Sequence, residues 1–220
     1  MCGRFTLTAE AINLSERFEI PLKEFTWLPR FNIAPSQSCL TIFIENQQRQ
    51  IDSMVWGLIP HWSKEKRPNY QMINVRSETL KSKPSFQNLF KTRRCLIPAD
   101  GFFEWKATNS GKIPFRIALK NGDLFVFAGI WDIWKDKNGE EIKSFAILTT
   151  ASNSVVNPIH NRMPVILQKT DEAMWLNSSN QNALEQILQK TYPSNEIISY
   201  EVSNIVNFWK NDYPICIQPI

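Results

Sequence analysis

Apolar residues recur at helical spacing near the start of the chain, where Ala11, Leu14 and Phe18 follow Glu10 and precede Pro21. Steps of three and four put side chains on one face of a helix, and a proline beyond the last of them stops it. The pattern predicts an amphipathic helix over residues 8–19. The period then shortens. Thr41-Ile42-Phe43-Ile44 and residues 52–56 read as two strands, with the polar stretch 45–50 as the turn between them. Residues 113–119 and 124–130 are strand-like runs that meet around Asn121-Gly122, and Asn-Gly between apolar runs is a strong hairpin signal. Asn138-Gly139 repeats that signal between Ile130-Trp131 and a strand over residues 144–150. Helical spacing returns over residues 171–176 and 182–190, the latter with Leu184, Ile187 and Leu188 as its stripe, and residues 196–202 read as a further strand.

Hairpin-linked strands with helices outside the strand runs predict an α+β fold. It is expected to be mainly antiparallel sheet, barrel-like, with flanking helices. No repeat, low-complexity tract or Gly/Ser linker divides the 220 residues, so one domain over residues 1–220 is expected. Apolar residues at 43% and charged residues at 21% are the mix of a globular chain, not a disordered one. No apolar run approaches the roughly 18 residues of a membrane span, and Met1-Cys2-Gly3-Arg4-Phe5 lacks the apolar core of a secretory signal. An intracellular, cytoplasmic protein is expected. The net charge of +4, from 25 basic and 21 acidic side chains, fits a polyanionic partner and a mildly basic solvated surface equally well.

The four cysteines form no Cys-x-x-Cys pair, and His61 and His160 lie far apart. Zinc ligands normally arrive in closely spaced pairs, so no metal and no cofactor is expected. The wide spacing argues against a disulfide framework as well. Cys39 and Cys95, in apolar surroundings, read as buried small hydrophobes. Cys2 is different, since a second residue is rarely core. Once Met1 is removed it exposes an α-amine of pKa about 7.7–8 and a thiol of pKa about 8.5. The neutral amine can attack an aldehyde. The thiol, two carbons away, can then add to the imine and close a five-membered thiazolidine, with the high effective molarity of an intramolecular step. With Met1 in place the amine is blocked and the chain is an inactive precursor.

Four other segments carry chemistry. Trp56-Gly57-Leu58-Ile59-Pro60-His61-Trp62 sets two tryptophans around a glycine and a proline; these are core plugs or a platform for a nucleobase. Asn74-Val75-Arg76-Ser77-Glu78-Thr79 reads as a capped turn, or as an amide and a guanidinium on one side of an extended segment. Residues 94–105 embed the carboxylate of Glu104 among aromatics. By itself that segment favours an ordinary exposed strand glutamate; if buried instead, desolvation would raise its pKa and keep it partly protonated near neutrality. Ile159-His160-Asn161-Arg162-Met163-Pro164 sets a histidine, the side chain best suited to proton exchange near pH 7, beside an arginine.

Taken together, these segments resemble the SOS response-associated peptidase family, which includes sensors of abasic sites in DNA. The match is collinear. It runs through Met-Cys-Gly-Arg-Phe at 1–5, Phe31-Asn32-Ile33-Ala34-Pro35, the Trp-Gly-Leu-Ile-Pro-x-Trp element at 56–62 and Asn-x-Arg-x-Glu-Thr at 74–79. It continues through residues 94–105, Ala128-Gly129-Ile130-Trp131-Asp132 and Ile159-His160-x-Arg162-Met163-Pro164, and fades after about residue 175. One departure is Val75, where the family usually has alanine; it is expected to point away from the site.

The resemblance implies an abasic-site sensor and shield that forms a covalent thiazolidine cross-link through Cys2, with lyase-like and (auto)peptidase activity. Its partner would be single-stranded DNA containing abasic sites, including single-strand/double-strand junctions, bound by a monomer. Cys2, Asn74, Glu104 and His160 are implied as the reactive set. Glu104 and His160 would shuttle protons, and Asn74 would hydrogen-bond the sugar or the amine. Arg4, Arg76 and Arg162 would hold phosphates, and Trp56, Trp62 and the Pro-rich turns would support splayed bases. Gly3, Asn32, Pro35, Gly57, Pro60, Ser77, Glu78, Met163 and Pro164 complete the implied DNA surface. Two alternatives stand beside this reading. One is a thiol peptidase with Cys2 as nucleophile, autoproteolytic at Met1; the other is a non-enzymatic single-strand binder in which Cys2 is dispensable.

Overall fold

The computed structural model describes residues 2–66, 72–80, 82 and 84–220. In chain order its strands are β1 (Phe5–Leu7), β2 (Arg30–Ile33), β3 (Ser38–Glu45), β4 (Gln48–Trp56), β5 (Asn74–Arg76), β6 (Arg94–Ala99), β7 (Gly101–Thr108), β8 (Gly111–Leu119), β9 (Phe125–Lys135), β10 (Glu141–Ala151), β11 (Arg162–Pro164), β12 (Ile166–Leu167) and β13 (Ile197–Glu201). The helices are α1 (Ala11–Phe18), α2 (Pro84–Thr92), α3 (Lys169–Asn177) and α4 (Gln181–Gln189). The architecture is α+β. Strands β10, β4, β3, β6 and β9 pair in that order, and β9 pairs back onto β10, closing a five-stranded barrel. A second sheet, ordered β13-β8-β7-β1-β2, packs against it. Phe5 of β1 meets Trp56 of β4 edge-on at 5.1 Å and Phe127 of β9 at 5.7 Å, so one apolar cluster spans both layers. The pairing is antiparallel except where β4 and β5 lie parallel to β10.

The expected helices and strands are present, with three local differences. The polar stretch 45–50 is mostly strand: β3 and β4 run to Glu45 and Gln48, and only Asn46 and Gln47 turn, both with positive φ. A two-residue turn of that kind matches the natural twist of paired strands. The Asn121-Gly122 turn forms, with Gly122 at φ +74° and its N–H donating to Leu119 at 3.1 Å, but it makes no hairpin. β8 pairs with β7 and β13, whereas β9 pairs with β6, β10 and β12. Asn-Gly dictates a local reversal of the chain; which strand the next residues join was decided by the free edge of β6 in the barrel. Asn138-Gly139, by contrast, does close a hairpin, pairing Lys135 with Glu141. Helix α2, with Phe86, Leu89 and Phe90 buried at helical spacing, is not among the expected elements, and neither are strands β1, β2, β6, β11 and β12.

Arg94 binds α2 and α3 to the barrel. Its buried guanidinium donates to the carbonyls of Phe90 and Lys91 at the end of α2, and to those of Trp175, Leu176 and Ser178 at the end of α3. Helix C-termini leave carbonyls without intrahelical partners, and one planar five-donor group satisfies both ends at once. No helix among the described residues is long and apolar enough to cross a membrane.

Candidate functional site

Strand β1 sets the site. Phe5 pairs with Phe102 of β7, and the N–H of Phe103 donates to the carbonyl of Arg4 at 2.9 Å. Continuing that antiparallel register brings Cys2 and Gly3 alongside Glu104. On the other side, β5 lies parallel to β10 and presents Asn74, whose Nδ2 donates to the Cys2 carbonyl at 2.7 Å. The Oδ1 of the same amide is buried and has no hydrogen-bond partner among the described residues. Val75, next in the strand, turns into the apolar core.

Cys2 departs from the sequence expectation. It is fully buried and belongs to the core cluster, because the chain ahead of β1 is held between the two sheets by Asn74 and β7. Burial, and then the charge of Glu104, push its thiol well above the ordinary cysteine range. With Met1 still in place, the thiol is therefore held as a neutral S–H. Cys39 and Cys95 are buried in the core, as their surroundings predict.

Glu104 is also buried, which corrects the exposed-strand reading of its segment. It faces inward from β7 while Lys106 and Ala107 beyond it are exposed. Burial raises its pKa, and His160 acts in the opposite direction. Nδ1 of His160 lies 3.0 Å from the backbone nitrogen of Arg162 and 3.1 Å from its carbonyl oxygen, which fixes the ring against the turn. Glu104 and His160 line one open cleft of about 370 Å³ together with Trp105, Lys112 and Asn207. The last three were not singled out from sequence. Trp105 had a signal in its place beside Glu104, but Asn207 reaches the cleft only because the C-terminal segment folds back. There Trp105 Nε1 donates to Asn207 Oδ1 at 2.7 Å. A larger cavity of about 650 Å³ lies around Arg17, Asp100, Glu172 and Tyr192. Some of its charged groups are already matched, Arg17 with Glu172 and Asp100 with Arg116, Thr6 and Thr8.

The three arginines differ. Arg76 is exposed at the end of β5. Arg162 makes a two-pronged pair with Glu78, at 2.6 and 2.9 Å, and donates to the carbonyl of Thr149; Arg162 holds the Glu78 carboxyl below its usual range. Arg4 is half-buried, and its Nη1 donates to Asn32 Oδ1 and the Val206 carbonyl, both at 2.8 Å. Ser77 and Pro35 are partly exposed in their turns.

Six residues expected on a DNA surface are buried in this structure. Trp56 is a core plug: its ring packs on Phe5 and stacks parallel to Phe145, and its Nε1 donates to the Ile73 carbonyl at 2.9 Å. Gly57 and Pro60 are enclosed with it, leaving Trp62, 63% exposed, as the aromatic face of that turn. Asn32 spends its amide on the carbonyls of Val206, Phe208 and Asn211. Met163 and Pro164 are drawn inward because β11 pairs with β10.

Residues 1–209 match the family model described as SOS response associated peptidase (SRAP). The chain is 43% identical over 223 residues to "Abasic site processing protein YoqW" of Bacillus subtilis (strain 168), with 99% of each covered. It is 31% identical over 264 residues to "Abasic site processing protein HMCES" of Gallus gallus, covering 100% of this chain and 78% of that protein. An X-ray crystal structure of a protein from Bacteroides thetaiotaomicron superposes with a TM-score of 0.85 at 28% identity, over 100% of both chains. With its motifs collinear and the match running through nearly the whole chain, this protein belongs to the SOS response associated peptidase family.

Proposed function

We propose that the protein processes abasic sites in single-stranded DNA, including single-strand/double-strand junctions, by capturing the open-chain sugar aldehyde on Cys2. Relatives named as abasic site processing proteins support the substrate class. The observation that carries the chemistry is the buried Glu104, whose electrostatic reach includes both the Cys2 thiol and His160 at the wall of one cleft.

Removal of Met1 frees the Cys2 nitrogen as a primary amine. The amine attacks the aldehyde carbon, forming the C–N bond of a carbinolamine. Glu104, whose pKa burial raises, gives a proton to the departing hydroxyl; water leaves, and the carboxylate so formed takes back the proton on nitrogen, giving the imine. Asn74 steadies the residue through the Cys2 carbonyl and offers its unpaired Oδ1 to an N–H. The S–H then adds across the C=N bond, its sulfur to carbon and its proton to nitrogen, closing the thiazolidine. A neutral thiol suits this order, because it waits until the imine places an electrophilic carbon within reach of five-membered ring closure. A thiol peptidase needs a standing thiolate, which burial and Glu104 both oppose.

Intact-mass measurement after mixing the mature protein with an abasic oligonucleotide tests the proposal. The expected gain is the DNA mass less one water. Cys2→Ala should give no adduct, and Cys2→Ser only an imine that borohydride traps. Undiminished adduct from Cys2→Ala would sink the mechanism. Multiple-turnover peptide cleavage without DNA would favour the peptidase instead.

A further inference from the structure

We infer that the C-terminal segment over residues 206–213 is a fixed stacking platform for the single-stranded nucleotides that flank the abasic sugar, with Phe208 and Trp209 as its faces and Lys210 as its phosphate contact. This inference rests on the abasic-DNA reading of the cleft.

The segment contains little regular structure, only a short 3-10 turn at Asn204–Asn207, yet its backbone is tied down at many points. Asn32 Nδ2 donates to the carbonyls of Val206, Phe208 and Asn211 at 3.1, 3.3 and 2.8 Å. Asp212 accepts from the backbone N–H groups of Phe31 and Asn32, at 2.5 and 3.0 Å, and pairs with Arg30. Beneath, Val206 and Cys216 pack with Phe103 in a small core of their own. A segment held this firmly could have turned its aromatics inward. Instead Phe208 is 56% exposed and Trp209 48%.

Two observations favour nucleic acid as the occupant. The platform is continuous with the cleft: Asn207, which lines the cleft beside Glu104 and His160, immediately precedes Phe208. It also joins rings to a cation, with Lys210 Nζ 5.6 Å from the Trp209 ring centroid. Single-strand grooves combine these features, since every base offers a π-face to a ring and its phosphate a charge to a nearby amine. A surface built this way tolerates any base, as a site for damage that has erased the base requires.

The test uses a single-stranded oligonucleotide with a tetrahydrofuran abasic analogue, which has no aldehyde, so affinity is read apart from cross-linking. The Phe208→Leu/Trp209→Leu double variant should bind at least about fivefold more weakly, the low end for losing one stacked base. Trp209→Phe, which keeps a ring, should restore most of the affinity lost in Trp209→Leu. Oligonucleotides with base-free spacers flanking the analogue, on one side and then the other, should erase the difference between wild type and double variant for one of the two sides. Melting curves check folding, and Phe208→Leu alone serves if the double variant fails to fold. Equal affinity of wild type and variants for the fully based oligonucleotide would assign the rings to a protein contact and overturn the inference. So would a loss that persists with spacers on either side. Because adduct formation is scored separately on authentic abasic DNA, a protein that cross-links normally but shows no stacking loss refutes the platform alone. One that shows the stacking loss but never cross-links refutes the chemistry alone.

Discussion

Glu104 shows how much one side chain's meaning depends on depth. A carboxylate on a strand, between Phe103 and Trp105, is an unremarked surface residue if its strand face is wet and a proton donor if that face is dry. The sequence left both open; the fold settled it by burying Glu104. The burial has a measurable sign. Below about pH 4, near the ordinary glutamate pKa, the group is protonated folded or unfolded and costs nothing. As pH rises, the unfolded chain ionises first while the folded group still holds its proton, so the native state loses stability until pH passes the raised folded pKa. Glu104→Gln has no such titration. Its melting temperature should therefore gain on wild type as pH rises from about 4 towards neutrality; a difference that stays flat over that range would mean Glu104 is not desolvated. Cys2 teaches the same lesson in reverse. Its two nucleophiles could be read from its position in the chain, but the neutral state of the thiol follows from a core that no local pattern reveals.

Most of the expected elements have local signals, although α2, whose stripe of Phe86, Leu89 and Phe90 is equally local, is not among them. Helical stripes and the Asn138-Gly139 hairpin appear where the periodicity puts them, because spacing and turn chemistry act within a few residues. Pairing partners were not legible, as Asn121-Gly122 illustrates: the turn exists, and its two strands enter different sheets. Arg94 is another feature invisible at this scale in sequence, where it is simply a basic residue opening a strand. In the fold its guanidinium satisfies carbonyls at two helix ends. Arg94→Leu should destabilise the protein by about 3 kcal/mol or more, since several buried carbonyls lose their donor together. Arg94→Lys should recover little of it, lacking the planar fork. Denaturant unfolding measures both; near-wild-type stability of Arg94→Lys would show that charge alone suffices there.

At the scale of the whole molecule, a formal charge of +4 says little until it is placed. Of the three arginines expected to meet phosphate, only Arg76 stands exposed; Arg4 holds the C-terminal segment and Arg162 holds Glu78. Three phosphate contacts on a single strand correspond to a log–log salt slope of about −2, and wild type should be shallower because Glu78 competes for Arg162. Glu78→Gln should tighten binding to the abasic-analogue oligonucleotide and steepen the slope; titrations across a potassium chloride series check this, and an unchanged affinity would remove Arg162 from the phosphate path. The chain by itself determined the α+β class, the helical stripes, the chemical potential of an amine and a thiol on one residue, and the family, because propensity, periodicity and motif order are written in consecutive residues. Tertiary structure alone decided that Trp56 and Asn32 are buried, that Glu104 is dry, and that Asn207 lines the cleft. Those outcomes depend on which surfaces exclude water from one another, and that is a property of residues brought together from opposite ends of the chain.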